Sequence, residues 1–244
     1  MSKKLFYFDV ETTGLDARWN TIHQLSFIIE IDGEVKESVN YHIRPIDGKK
    51  IDEEALEVSN LTIDQVLQYP EAKGIYKELV QTLSKYVGKY DKNDKFFLVG
   101  YNNASFDNQF LREWFVDNGD KYFGSWFWPN PIDVYVLASV DKMSKRPEMP
   151  NAKLGTMAEY YGYKVDDEQL HNAMYDVELT RNIYNDIRTK VRSVFVVSQE
   201  VNVMLDNYHI ILNGEPISEI AELALLQNTE EIRNKIIKLL TALK

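Results

Sequence analysis

The sequence predicts an α/β protein in which a mixed β-sheet is flanked by α-helices. Strand-like runs occur at residues 5–10, 24–31, 34–43 and 96–99. The Asp32-Gly33 pair between the second and third runs is a tight hairpin signal, so the first strands should be antiparallel. Helix-like runs occur at residues 62–68, 72–86, 105–118, 134–143, 154–161 and 173–191. This mixture is typical of helices packed on a sheet.

The first strand has apolar side chains on both faces. Phe6, Phe8 and Val10 share one face, whereas Leu5 and Tyr7 share the other. A strand that is apolar on both sides is covered on both sides. It is therefore predicted to lie in the middle of the sheet.

Two acids end this strand. Asp9 and Glu11 are two residues apart, so their side chains point the same way. The turn residues 12–14 follow, and ligands of α/β proteins gather at the ends of such strands. An acidic turn on the surface has the same pattern, so the pair alone does not decide between the two interpretations.

The strand at 96–99 leads to a third acid. A turn at 101–104 follows it, Ser105 is a candidate N-cap, and Asp107 lies in the first turn of the next helix. A helix dipole also favours an acid at this position, which is the competing explanation.

The last helical run carries a fourth acid. Asp176 lies within the run at 173–191, and His171 lies near or before its start, after a polar stretch at 165–170. A rigid helix suits a metal ligand, and a loop suits a general base that must move.

These residues together favour a metal-dependent hydrolase. Hard cations such as Mg²⁺ prefer carboxylate oxygens, and two metals about 3.5–4 Å apart can cleave phosphodiesters. A histidine, with an ordinary pKa of about 6.5, suits the general base.

Three ordered motifs carry a family resemblance. Residues 8–15 (FDVETTGL), 100–107 (GYNNASFD) and 171–176 (HNAMYD) resemble the motifs of the DEDDh 3′→5′ exonucleases, the proofreading branch of the ribonuclease-H-like superfamily. The resemblance implies a ribonuclease-H-like exonuclease domain over residues 1–190, followed by a small C-terminal extension, 191–244, with no assigned role. Departures at Gln24, where relatives often have Glu, and Tyr101, where many have His, bear on substrate preference.

The resemblance also implies roles for single residues. Asp9, Glu11, Asp107 and Asp176 would ligate two divalent cations, Mg²⁺ or Mn²⁺, and His171 would be the general base. The catalytic set is thus these five residues, and the product would be a 5′-mononucleotide. Leu15 would be a wedge against the last base. The implied substrate-binding residues are Thr12, Thr13, Gly14, Leu15, Asn103 and Phe106.

Composition limits the function classes. The chain has 244 residues, 44% of them hydrophobic, and no cysteine, which excludes disulfides and a thiol nucleophile. Asp9 interrupts the first apolar run too early for a signal peptide or membrane span, so we expect a cytoplasmic protein without membrane partners. The net charge of −10 argues against a grip on long duplexes. An exonuclease needs to hold only a few terminal nucleotides.

The expected function is 3′→5′ exonuclease activity on single-stranded 3′ ends, with DNA slightly favoured. An RNA-trimming or oligoribonucleotide-degrading enzyme is the alternative, since the 2′-hydroxyl distinguishes the polymers. A subunit that binds a polymerase or another replication partner is an alternative of a different class. The sequence does not indicate an oligomeric state.

Other segments have open interpretations. The aromatic run 126–128 (WFW) could stack bases, although core packing is the favoured use. In the extension, residues 194–197 and 209–212 are strand-like, and residues 217–226 and 228–243 are helix-like.

Overall fold

The computed structural model describes residues 2–166, 168–170 and 172–200, and three short strands beyond them. The chain divides into two compact units, Met1–Ile187 and Arg188–Lys244. No helix among the described residues is long and apolar enough to cross a membrane.

The strands are β1 Lys4–Thr12, β2 Ile22–Ile31, β3 Glu34–His42, β4 Phe97–Gly100, β5 Ile132–Asp133, β6 Val203–Asp206, β7 His209–Leu212 and β8 Glu215–Pro216. The α-helices are α1 Glu53–Val58, α2 Ile63–Val66, α3 Ala72–Ser84, α4 Asp107–Asp117, α5 Val134–Asp141, α6 Leu154–Tyr160 and α7 Ala173–Glu200.

The sheet of the first unit has five strands in the order β3-β2-β1-β4-β5. Strands β1, β2 and β3 are antiparallel, whereas β4 and β5 are parallel to β1. Asp32 and Gly33 both have positive φ angles, 53° and 94°, as a tight hairpin turn requires. The predicted α/β class with a mixed sheet is confirmed.

Strand β1 is the central strand, as its two apolar faces predict. On one face, Phe6 packs among aromatic rings, with Phe27 at 4.7 Å and Phe127 at 5.3 Å between centroids. The other face carries Leu5 and Tyr7, which belong to a second buried cluster. Trp126 and Phe127 are buried in the first cluster, so core packing is their use in this fold.

Several local expectations are wrong. Residues 194–197 belong to α7 rather than to a strand, because apolar residues continue at helical spacing through Ile187, Val191 and Val194. Phe106, not Ser105, is the N-cap of α4. Helix α1 is not predicted from the sequence, since its six residues contain one buried side chain, Leu56, and show no periodicity.

The second unit contains a separate three-stranded antiparallel sheet in the order β6-β7-β8. The predicted strand at 209–212 is confirmed as β7. The helices predicted at 217–226 and 228–243 lie outside the described residues. The predicted domain boundary after residue 190 stays a prediction.

A buried ion pair joins α7 to the sheet. Arg181 on α7 donates from Nε at 2.9 Å and from Nη2 at 2.8 Å to Oε2 of Glu30 on β2. The Glu30 side chain is only 1% exposed. Ala173, Val177 and Ile183 of the same helix are buried. The pair therefore helps to fix the helix whose first turn carries Asp176.

We predict that Arg181→Met lowers the free energy of unfolding by about 3 kcal/mol, because it removes the guanidinium that binds the buried Glu30 carboxylate. Urea denaturation measures the change. Lys145→Met is the matched control, since it breaks the exposed Lys145–Glu148 pair and should cost little. Equal losses in the two variants would contradict a special role for the buried pair.

Candidate active site

The two acids of β1 lie where the strand ends. Asp9 is opposite Ser26 of β2, and Glu11 is opposite Gln24. Residues that face each other across an antiparallel pair share a face of the sheet. Both acids are half-buried, and they point away from Phe8 and Val10, which lie in the first core cluster.

Asp107 is the first residue of α4 and is 6% exposed. The backbone N–H of Val10 donates a hydrogen bond to its Oδ1 at 3.3 Å, which ties the start of α4 to β1. The preceding turn is held by the carbonyl of Asn103, which accepts from the N–H groups of Phe106 at 3.4 Å and Asn108 at 3.0 Å. The acid is thus presented at the end of the central strand.

Asp176 lies in the first turn of α7, where its N–H donates to the carbonyl of Asn172 at 3.0 Å. Its charge raises the pKa values of Asp9, Glu11 and Asp107. The structure therefore brings four carboxyl groups together, from β1, α4 and α7.

Burial and repulsion between carboxylates raise the pKa values of Asp9, Glu11 and Asp107 above their ordinary range. Burial raises the pKa of Asp9 well above its ordinary value, and Asp107, Glu11 and Asp176 raise it further. Burial and the charge of Asp176 raise the pKa of Glu11 to about 8. Burial raises the pKa of Asp107 to about 7, against hydrogen bonds from backbone N–H groups that lower it. A cation would relieve this repulsion.

The donor set suits hard divalent cations. Carboxylate oxygens are the ligands that Mg²⁺ and Mn²⁺ prefer, and Asp9, Glu11, Asp107 and Asp176 supply only such oxygens. Within the described residues, no group of three or more acidic or histidine side chains is already arranged as a metal site. Side-chain movements on ion binding would therefore be needed to form one. His171 lies outside the described residues.

The residues after Glu11 form a tightly bonded loop. Thr12 Oγ1 donates to the carbonyl of Gly14 at 2.7 Å, and buried Thr13 donates from Oγ1 to the carbonyl of Lys50 at 2.6 Å. A Cβ on Gly14 would lie 2.2 Å from Nδ2 of Asn20, so only glycine fits there. Leu15 is 84% exposed. The loop is therefore fixed up to Gly14 and presents Leu15 to solvent.

Asn103 and Phe106 lie in the turn before α4. Asn103 is completely buried, its Nδ2 donates to Oδ1 of Asn108 at 3.3 Å, and its own Oδ1 has no hydrogen-bond partner. A Cβ on Gly100 would lie 2.6 Å from that of Asn103, so glycine makes room for this side chain. Phe106 is half-buried, with its ring 4.8 Å from that of Phe110. Asn103 is thus packed inside the turn, whereas Phe106 is partly accessible.

Ser59 is a site residue that the motifs do not reveal. Its hydroxyl donates to Oε2 of Glu11 at 3.3 Å and lowers the pKa of that acid. Ser59 is the C-cap of α1, and Asn60 after it has a positive φ of 54°. The sequence does not indicate Ser59, because it lies at the end of a short helix that the sequence does not predict.

Asp133 also acts on the site, through the turn before α4. Its carboxylate accepts from the N–H groups of Asn102 at 2.9 Å, Tyr135 at 3.0 Å and Ala104 at 3.5 Å. Asn102 has a positive φ of 56°. The carboxylate therefore holds the turn in an uncommon backbone conformation, and its charge raises the pKa of Asp107.

The profile of the RNase_T family, described as Exonuclease, matches residues 6–184. The chain is similar to DNA polymerase III PolC-type of Staphylococcus aureus, with 26% identity over 93% of this chain and 14% of the relative. The corresponding protein of Staphylococcus haemolyticus is 26% identical over 96% of this chain and 14% of the relative. The chain thus spans a small fraction of these relatives.

Solved structures of Escherichia coli Exonuclease I share the fold. The complex with a 5cy-dT13 oligonucleotide has a TM-score of 0.62 and 18% identity, covering 81% of this chain and 43% of that one. The zinc-bound complex with single-stranded DNA has a TM-score of 0.59 and 20% identity, covering 79% of this chain and 41% of that one. With the family profile matching most of the first unit, the chain belongs to the RNase_T exonuclease family, the DEDDh-type 3′→5′ exonucleases of the ribonuclease-H-like superfamily.

Proposed function

We propose that this exonuclease removes nucleotides from the 3′ ends of single-stranded DNA in a reaction that depends on divalent cations. The convergence of Asp9, Glu11, Asp107 and Asp176 carries the proposal, and the charge of Asp176 raises the pKa values of the other three acids. Binding alone does not need four converging acids of one sign. A cation site at the scissile phosphate does need such a cluster of acids.

The four carboxylates would hold two divalent cations, Mg²⁺ or Mn²⁺. Such cations acidify bound water and neutralise charge on a phosphodiester and its leaving oxygen. The chain's own contribution is placement. Val10 fixes one oxygen of Asp107, Ser59 fixes one oxygen of Glu11, and the Glu30–Arg181 pair fixes the helix of Asp176.

His171 is the proposed general base. It would take a proton from the water that attacks the terminal phosphate, and the 3′ oxygen of the preceding nucleotide would leave. The product is a 5′-mononucleotide and a strand one nucleotide shorter. The closeness of an imidazole pKa to working pH supports this role.

The Thr12–Leu15 loop and the turn before α4 are the proposed contacts for the terminal nucleotide. Exposed Leu15 would act as a wedge beside the last base, and the half-buried ring of Phe106 would contribute from the turn. Thr12, Thr13 and Gly14 would offer backbone groups, and buried Asn103 would support the turn. The similarity to Exonuclease I structures that hold dT13 or single-stranded DNA favours DNA over RNA.

A second candidate function is that of an exonuclease working beside a polymerase. The similarity to PolC-type polymerase III of staphylococci favours it, because the matched segment is 14% of a chain named as a polymerase. A polymerase that stays bound to the full chain through purification would support this candidate. A cytoplasmic location stays a prediction.

We predict that the unfolding free energy in EDTA falls by on the order of 2 kcal/mol between pH 6.5 and 9. The folded pKa values of Glu11, about 8, and Asp107, about 7, exceed those of the unfolded chain. Folded protein therefore binds more protons, and this stabilisation is lost as the pH rises through the folded pKa values. Buried His23, with its pKa lowered to about 4, is neutral in the folded protein over this whole pH range. Denaturation at several pH values measures the slope of the unfolding free energy against pH.

The matched control for the pH dependence is Glu11→Gln, which removes one titrating acid and should flatten the slope. Mn²⁺ should restore stability most strongly at the alkaline end, because the ion competes with protons. An unchanged slope in the variant would contradict the coupled acids as its source.

We predict that Asp9→Asn abolishes exonuclease activity while the protein stays folded, because the amide keeps the shape but loses a ligand charge. A time course on single strands labelled at the 5′ end, DNA and RNA in parallel with Mg²⁺, Mn²⁺ or EDTA, measures it. The wild type should give a metal-dependent ladder that shortens from the 3′ end. Retained cleavage by the variant would sink the metal assignment.

The same assay includes His171→Ala, which should bind DNA but cleave it at least about a hundredfold more slowly, as expected for loss of a general base. RNA shortened faster than DNA would favour the RNA-trimming alternative. No shortening of either polymer would favour a binding role.

A further inference from the structure

An open cleft lies next to the proposed active site and takes no part in holding the acids. It has a volume of about 360 Å³ and is lined by the loop at Ala17 and Arg18, by α4, and by the segment around Trp128. This volume falls in the range of about 300–1,000 Å³ that is typical of small-molecule sites. We call it the α4 cleft.

The α4 cleft offers positive charge in an acidic protein. Arg112 on α4 lies with its guanidinium carbon 4.5 Å from the centre of the Phe123 ring. Among the described residues no carboxylate is ion-paired with Arg112. Arg18 is also exposed, and its guanidinium bonds Asp16 at 2.8 Å and 3.1 Å. The Arg112 guanidinium therefore suits a phosphate ligand, with Arg18 beside it as a cation already bound to Asp16.

The acid of the cleft, Glu113, shares the cation of Lys49 with a second acid. Glu113 lies 3.9 Å from Nζ of Lys49, which also binds Asp117 at 2.9 Å. Exposed Arg112 is therefore the cation of the α4 cleft that can bind an anionic ligand.

Trp128 adds an aromatic wall. It is half-buried, and its ring is 5.9 Å from that of Phe97. Its Trp126 and Phe127 neighbours are buried in the core, whereas Trp128 lines the cleft. A tryptophan beside guanidiniums matches a ligand with both a base and a phosphate.

The position of the α4 cleft identifies which nucleotide it fits. Ala17 and Arg18 follow Leu15 by only a few residues, and Asn108 follows Asp107 directly. The terminal nucleotide must lie at the four acids, on the face of β1 that carries Asp9 and Glu11. Leu98, which lines the cleft, packs in the opposite core cluster. A ligand in the cleft therefore lies beyond the terminal nucleotide.

We propose that the α4 cleft binds a nucleotide of the single strand upstream of its 3′ end, with Arg112 and Arg18 at the phosphate and Trp128 against the base. This inference rests on the proposed function, because it extends the path of the same substrate. It explains how a chain of negative net charge holds a polyanion: the contacts are confined to one cleft and one cation site.

The test is binding of 5′-labelled oligothymidylates in EDTA, followed by fluorescence anisotropy, with full-length Arg112→Gln protein. A dinucleotide and a strand about eight nucleotides long are compared, a length within the range of known single-strand sites. The variant should lose at least about fivefold in affinity for the long strand and nothing for the dinucleotide. The slope of the logarithm of its affinity against the logarithm of the salt concentration should fall in magnitude by about one, as expected for one lost phosphate contact.

The matched control is Arg44→Gln, which removes an exposed arginine paired with Glu71 outside the cleft and should bind both strands like the wild type. Trp128→Phe should reduce the quenching of tryptophan fluorescence by the long strand. Equal affinities of Arg112→Gln and wild type for the long strand would overturn the proposal, as would a loss equal to that of Arg44→Gln.

Failure of the cleft and failure of the proposed function give different results. A wild type that binds the long strand through Arg112 but never cleaves it in Mg²⁺ keeps the cleft and refutes the exonuclease proposal. A wild type that cleaves from the 3′ end, with Arg112→Gln binding unchanged, refutes the cleft alone.

Discussion

Repulsion among four acids at the end of one strand is the constraint on which the rest of this structure depends. Asp9 and Glu11 lie near the end of the central strand, and α4 and α7 bring Asp107 and Asp176 close to them. Concentrating like charges away from water is unfavourable, and the raised pKa values record that cost. The fold must therefore hold the acids together by interactions made elsewhere.

Those interactions come from the two sides of the sheet. Trp114 and Phe115 of α4 are completely buried against the face that carries Phe6. On the other face α7 packs its apolar side and anchors Arg181 on Glu30. Core packing of this kind fixes helix positions to fractions of an ångström, because interiors are close-packed. The site thus takes its geometry from residues that never meet substrate.

The sequence predicted the parts of the molecule that follow regular patterns. Apolar side chains on both faces of residues 5–10 located the central strand, and Asp32-Gly33 located the hairpin. It missed α1, and with it Ser59, because six residues carry no helical period. It also placed the N-cap of α4 at Ser105, since a serine before a helix resembles a cap, whereas the turn is held by the Asn103 carbonyl and Asp133. Contacts between segments distant in sequence, such as Asp133 with Asn102 or the walls of the α4 cleft, leave no local pattern to recognise.

The most direct test of the account is an anomalous diffraction measurement on crystals grown with Mn²⁺ and a 5′-mononucleotide. The account predicts two Mn²⁺ peaks about 3.5–4 Å apart, bound by Asp9, Glu11, Asp107 and Asp176, with the phosphate between them. Peaks bound by other residues, or acids that remain without a cation while the nucleotide lies elsewhere, would contradict it.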